Sequence, residues 1–223
     1  MNTLMSSIKN KEYFLLYIYG FIFIMPWNFF KWQMGALSII LFIWWLIKYR
    51  FKIIKKLNIA IQFKPLLLLL LFIVFSYISV LWSSSIEDGL DHVNKFHKYY
   101  IFIILPLFLS LKSDEAFYCI KILLLSIGMY AIFSLSIYLD FFTIESTDSD
   151  SNNPKGIMAY AIMSVFMIIG AILSFFIAKF SKENKEKFIF YCVSFLSFLS
   201  LFVNNSRTAQ ITFFLTVSIV SVL

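Results

Sequence analysis

The sequence predicts an all-α fold: a polytopic transmembrane helical bundle of about seven complete spans and a truncated eighth. Three observations predict it. Hydrophobic residues make up 61% of the chain and charged residues only 14%, more apolar surface than a soluble core of this length needs. The charges gather in clusters between long apolar runs, and those runs approach the roughly 20 residues that cross a bilayer. The runs are continuously apolar instead of alternating, which selects helices over a barrel. The formal net charge of +7 sits in loops beside these runs, so it points to membrane topology and not to nucleic acid. The first run has no small-residue cleavage site after it, so it reads as a span and not as a signal peptide. The chain reads as one integral membrane domain over residues 1–223, the amino-terminal half of a longer protein.

Residues 1–12 carry Lys9 and Lys11 and are predicted to be cytoplasmic. The first span covers residues 13–30, with Pro26 and Trp27 near its far end. Lys31-Trp32-Gln33 makes an outer turn, and the second span covers residues 34–47. Lys48, Arg50, Lys52, Lys55, Lys56 and Lys64 follow with no acid among them, which places the segment 48–64 in the cytoplasm. Phe51, Ile54, Leu57 and Ile61 recur there at helical spacing, as in a helix lying on anionic lipid. Pro65 opens a third span that ends near Trp82. Residues 83–98 are predicted as an outer surface helix, and a fourth span, bent at Pro106, covers residues 99–111. Lys112-Ser113-Asp114-Glu115 is an inner turn, and the fifth span covers residues 116–142.

Residues 143–156 are outside and acidic, with Glu145, Asp148 and Asp150 against Lys155. The sixth span covers residues 157–178. Lys179, Lys182, Lys185 and Lys187 outnumber Glu183 and Glu186, so the next loop is inside. The seventh span, residues 188–203, then exits outward and brings Arg207 to the outer face. An eighth begins at Ile211; its 13 residues to Leu223 cover roughly 20 Å of a core about 30 Å thick. Cys119 and Cys192 fall near predicted cytoplasmic ends and are expected as reduced, packed thiols.

Three stretches carry a resemblance. Ser76-Tyr77-Ile78-Ser79-Val80-Leu81-Trp82-Ser83, followed by Ser84-Ser85-Ile86-Glu87-Asp88-Gly89-Leu90, is similar to the S-x-x-W-S … al exit of the third span in bacterial O-antigen ligases and O-antigen polymerases. Asn152-Asn153-Pro154-Lys155-Gly156-Ile157-Met158-Ala159 resembles the polar lead-in to their sixth span. Ser206-Arg207-Thr208-Ala209 resembles their S-R-[TG]-[AG] motif, which opens a span from the outer side. The resemblance implies a multi-span glycosyltransferase of the bacterial inner membrane, with its amino terminus in the cytoplasm. Its donor is a glycan on undecaprenyl diphosphate, and its acceptor is lipid A–core or another lipid-linked repeat. Family members are longer, and the histidine thought to activate their acceptor hydroxyl lies in the later half. No catalytic residue is therefore visible here, and that base is expected beyond Leu223.

Arg207 is the leading candidate for substrate binding. A planar guanidinium binds diphosphate oxygens bidentately and stabilises charge developing on the leaving group. The alternative is an arginine reaching to lipid headgroups. Asn204, Asn205 and Ser206 offer neutral donors to the same phosphate, or a helix cap. Lys155 is a second outer-face cation. His92 and His97 are five apart and do not share a helical face as a metal pair would. Asp148-Ser149-Asp150 has the look of a metal-holding D-x-D, but it lies outside, where nucleotide sugars are not supplied. No metal, nucleotide or other cofactor is called for. A lipid-linked polysaccharide transporter or flippase and a non-catalytic scaffold are the rival readings. The near absence of ionisable groups within the spans, Lys121 apart, weighs against transport.

Overall fold

The structure, a computed structural model, describes residues 12–27, 33–49, 63–144, 149–204 and 207–222. Over these residues it is all-helical. Eight α-helices follow one another: α1 (Tyr13–Ile24), α2 (Gln33–Tyr49), α3 (Lys64–Ser79), α4 (Ile86–Ser110), α5 (Ser113–Tyr138), α6 (Tyr160–Phe180), α7 (Asn184–Val203) and α8 (Arg207–Val222). A 3-10 turn, Val80–Trp82, continues α3. Three of these, α5, α6 and α7, are long and apolar enough to cross a membrane. The apolar helices α1, α2 and the stretch Leu66–Trp82 are shorter. Residues 50–62, which hold most of the basic amphipathic segment, lie outside the described residues.

The helix ends follow local chemistry. Pro65 stands in the first turn of α3, where its missing N–H costs nothing. Ser85 caps α4 by accepting the Asp88 N–H at 3.3 Å, and Glu87 and Asp88 add negative charge to that first turn. The sequence predicts a surface helix at 83–98 followed by a separate span; the structure shows one helix, α4, from Ile86 to Ser110. Between Leu90 and Leu105 no proline or glycine interrupts the backbone ladder. The change from polar to apolar side chains therefore alters the surroundings of the helix without breaking it. Asp140, with φ 58°, ends α5 earlier than predicted, in the left-handed conformation common after helices. Helix α8 starts at Arg207 and not at Ile211, because Thr208, Ala209 and Gln210 join it.

The chain divides into two compact units. The first, Met1–Ile18 with Lys31–Ala116, packs α2 against α4. Phe42 meets Phe102 there at 4.9 Å between ring centroids, and Phe14 meets Trp44 edge-on at 5.8 Å. Leu41 and Trp45 are buried. The Tyr17 hydroxyl donates to the Leu37 carbonyl at 2.8 Å.

The second unit, Tyr19–Phe30 with Phe117–Leu223, is built on α5, α6 and α7. Its core joins Leu124, Ile127, Met163, Met167, Phe190 and Leu201. Helices α6 and α7 approach closely because Gly170 leaves no side chain between them: a Cβ there would lie 2.6 Å from both Ile127 Cγ2 and Ser197 Oγ. Only residues 181–183 join α6 to α7, so the two run antiparallel. At that end the Lys121 ammonium pairs with the Glu186 carboxylate, which also accepts from Ser181 Oγ at 2.6 Å. Cys119 is buried, Cys192 is half-buried, and neither forms a disulfide.

Candidate functional site

A line of hydroxyls runs along one face of α5. Ser126, Tyr130 and Ser134 are spaced four residues apart in a mostly apolar helix, so they stack on one side. All three are fully buried and each has partners. Ser126 Oγ donates to the Phe23 carbonyl at 2.5 Å and accepts from Trp27 Nε1 at 3.0 Å. The Tyr130 hydroxyl donates to the Lys155 carbonyl at 2.9 Å and accepts the N–H groups of Ile157 at 2.8 Å and Met158 at 2.9 Å. Ser134 Oγ donates to the Pro154 carbonyl at 2.6 Å and accepts from Ser200 Oγ at 3.1 Å and Asn204 Nδ2 at 3.2 Å. A hydroxyl has one proton to give and two lone pairs, so Tyr130 and Ser134 use their whole capacity.

These bonds fix the non-helical stretch 154–158 ahead of α6. Its glycine is dictated twice. Gly156 has φ 67°, which L side chains rarely adopt, and a Cβ would fall 2.7 Å from the Tyr130 hydroxyl and 2.9 Å from Phe133 Cε1. The Gly156 N–H is held by Ser149 Oγ at 2.8 Å, and that hydroxyl donates on to the Asn153 carbonyl at 3.1 Å. Asp150 Oδ1 accepts the N–H groups of Asn152 and Asn153, each at 2.9 Å, an Asx turn that shapes the approach to Pro154. Trp27 packs over the other side of Tyr130 with ring centroids 5.2 Å apart.

The same network reaches the arginine motif. Asn204 ends α7 and is 4% exposed. Its amide donates inward, to the Ser200 carbonyl at 2.7 Å and to Ser134. The sequence offers Asn204 as a donor to a phosphate, but its NH2 group is spent inside the bundle. Arg207 is the first residue of α8 and is exposed. Lys155 is half-buried, one residue beyond the carbonyl that Ser134 holds. Ser134 therefore ties together the chain next to Lys155 and the chain three residues before Arg207. Asn205, Ser206 and Asp148 lie outside the described residues. His92 is exposed, on α4 in the first unit and not in this one.

No protein-family model, no curated protein and no solved structure matches this chain. The chemistry must then be read from the residues. An exposed guanidinium in the first turn of a helix adds its charge to that helix's free N–H groups and positive dipole end, a combination that favours anions. A second cation, Lys155, leaves the backbone beside the Pro154 carbonyl that Ser134 holds, in a stretch whose Lys155 carbonyl and Ile157 and Met158 amides are bonded to Tyr130. Reasoning from sequence missed Tyr130, Ser134 and Ser200. The signal was the four-residue recurrence of hydroxyls in apolar runs, where polar groups mark contacts between helices or with ligands.

Proposed function

We propose that this chain is an inner-membrane glycosyltransferase of the O-antigen ligase kind. It would move a glycan from undecaprenyl diphosphate to lipid A–core. In this reading the chain crosses the bilayer about seven times, α8 is a shorter eighth, and the amino terminus is cytoplasmic. The antiparallel α6 and α7 support that topology. The lysines at 179, 182, 185 and 187 sit at one end of this pair, and the residues 149–159 that lead into α6, with Asp150, and Arg207 belong to the other. The excess of lysine marks the cytoplasmic side.

The observation that carries the reading is the Ser134 junction, which bonds both the Pro154 carbonyl, next to Lys155, and Asn204, three residues before Arg207. The acceptor hydroxyl attacks the anomeric carbon of the donor sugar, and the bond to the lipid diphosphate breaks. Negative charge then grows on the departing diphosphate. Arg207 is suited to bind it bidentately, with Lys155 adding a second charge at the sugar-proximal or diphosphate oxygens. Activation of the acceptor hydroxyl is assigned to no residue here.

The test is complementation of a deletion strain, read by lipopolysaccharide gels and by lipid-linked polymer. Arg207→Ala is expected to abolish capped lipopolysaccharide, with lipid-linked polymer accumulating and protein abundance unchanged. Normal capping by that variant refutes the role. Retention of single-repeat capping with loss of long chains assigns the chain to glycan polymerisation instead. A cysteine at position 207 should react with an impermeant thiol reagent added from outside; reaction only from the cytoplasmic side overturns the topology.

A further inference from the structure

Between α6, α7 and α8 lies a hollow of about 650 Å³, within the range of small-molecule sites. Its walls are aromatic, with Phe175 from α6, Tyr191 and Phe198 from α7 and Phe213 from α8. Phe175 and Tyr191 meet edge-on at 5.9 Å, and Phe198 and Phe213 lie 5.5 Å apart. Ala171 and Ser194 also line it. Ser194 Oγ donates to the Ala171 carbonyl at 2.7 Å, so its proton is already used and the wall presents little but carbon to an occupant. Lys179 stands at one end.

Charge distinguishes this hollow from its neighbour. A second, of about 300 Å³, also contains a lysine, Lys121, but that ammonium is paired with Glu186 in its lining. Among the described residues no carboxylate lies within ion-pair distance of Lys179. Its ammonium sits 5.8 Å from the Phe180 ring centroid, where its charge remains open to an anion.

Depth gives the second constraint. From Lys179 to Ala171 the hollow follows eight residues of α6, about 12 Å at 1.5 Å per residue. One leaflet of the hydrocarbon core is about 15 Å, half of the whole. A cation at one end of an apolar slot that fits within one leaflet matches a phosphate at the interface with a chain running toward the midplane.

We propose that this hollow binds an anionic phospholipid, with an acyl chain between α6, α7 and α8 and its phosphate on Lys179. The site lies toward the end of α6 opposite the 154–158 loop. It rests on the helices lying in a bilayer and not on glycan transfer. Lipid retention and lipopolysaccharide capping are read separately, so either reading can fail alone.

The full chain in detergent is titrated with phosphatidylglycerol or phosphatidylcholine, and bound lipid is counted by native mass spectrometry. Phosphatidylglycerol is expected to be retained in preference. Lys179→Gln should lower its retention about fivefold and leave phosphatidylcholine unchanged. Val217→Trp, which fills the hollow, should lower retention of both. Glycerol 3-phosphate should not compete, since the chain supplies most of the affinity; competition would assign the lysine to free phosphate and overturn the lipid. An unchanged lipid ratio in Lys179→Gln overturns the phosphate contact. A dimer mass that Val217→Trp reduces to a monomer gives the hollow to a second copy and overturns the proposal. Lys179 is exposed, so its variant remains a test even where Val217→Trp does not fold.

Discussion

Removing one oxygen atom from Tyr130 tests whether the 154–158 stretch is held as described. Tyr130→Phe keeps the ring and its contacts with Trp27 at 5.2 Å and Phe133 at 5.7 Å. It deletes the bond to the Lys155 carbonyl and the acceptor for two amides, Ile157 and Met158. A buried N–H left without a partner costs about 1–3 kcal/mol. Met158 is 6% exposed, so its amide bears most of that penalty. Ile157 is half-buried and water can replace the hydroxyl there at little cost. The expected local loss is therefore about 2 kcal/mol, a factor of roughly 30 in the opening equilibrium. Amide hydrogen exchange reads this directly. The Ile157 and Met158 amides should exchange about 30-fold faster in the variant, while amides in the middle of α7 keep their rates. An acceleration below about threefold at both positions would mean that the hydroxyl does not hold this loop, and the scaffold argument would fail.

Gly156→Ala should destabilise the protein by about 2–4 kcal/mol in a thermal or denaturant assay in detergent, from left-handed strain and the contact with Tyr130. An unchanged midpoint would contradict the φ of 67°. Asn204→Leu removes two donated bonds and should cost about 0.6–1.7 kcal/mol, the range for polar contacts between membrane helices. In combination with Ser134→Ala the losses should not add, because the two residues share a bond. Lys121→Met breaks the pair with Glu186, whose side chain is 24% exposed, and should cost about 1 kcal/mol or less. That loss should shrink in high salt; a loss that grows with salt would exclude a charge interaction.

Much of the fold is legible in the sequence because a continuous apolar run of sufficient length has few other solutions than a helix. The lysine cluster after Ala178 and the acids before Pro154 mark opposite ends of α6 without any structural help. The break at Asn204 also announces the end of α7. What was not legible depends on contacts between distant positions. Composition changes at Tyr99, yet backbone hydrogen bonding does not, and so α4 continues where a boundary was expected. Tyr130 looks like one more aromatic among many until the Ile157 and Met158 amides are placed against it. Gly156 is visible as a turn residue, but its need for open space follows from the Tyr130 and Phe133 side chains facing it. Asn204 shows the same limit. Its polarity is evident in sequence, whereas its inward aim is settled by Ser134, 70 residues earlier.

The hydroxyl line on α5 has a consequence for how the polypeptide is made. Its partners come from Phe23 and Trp27, synthesised before it, and from residues 154–158 and 200–204, synthesised after it. When α5 first leaves the ribosome, only Ser126 has its anchor in existence. Tyr130 must wait for Lys155, Ile157 and Met158, 25 to 28 residues further on, and Ser134 for Ser200 and Asn204, 66 and 70 residues further on, before every lone pair is met. Until α7 is made, the Ser134 end of this line lacks the two donors that complete it, so the hydroxyl line closes from its Ser126 end toward Ser134 as the chain lengthens.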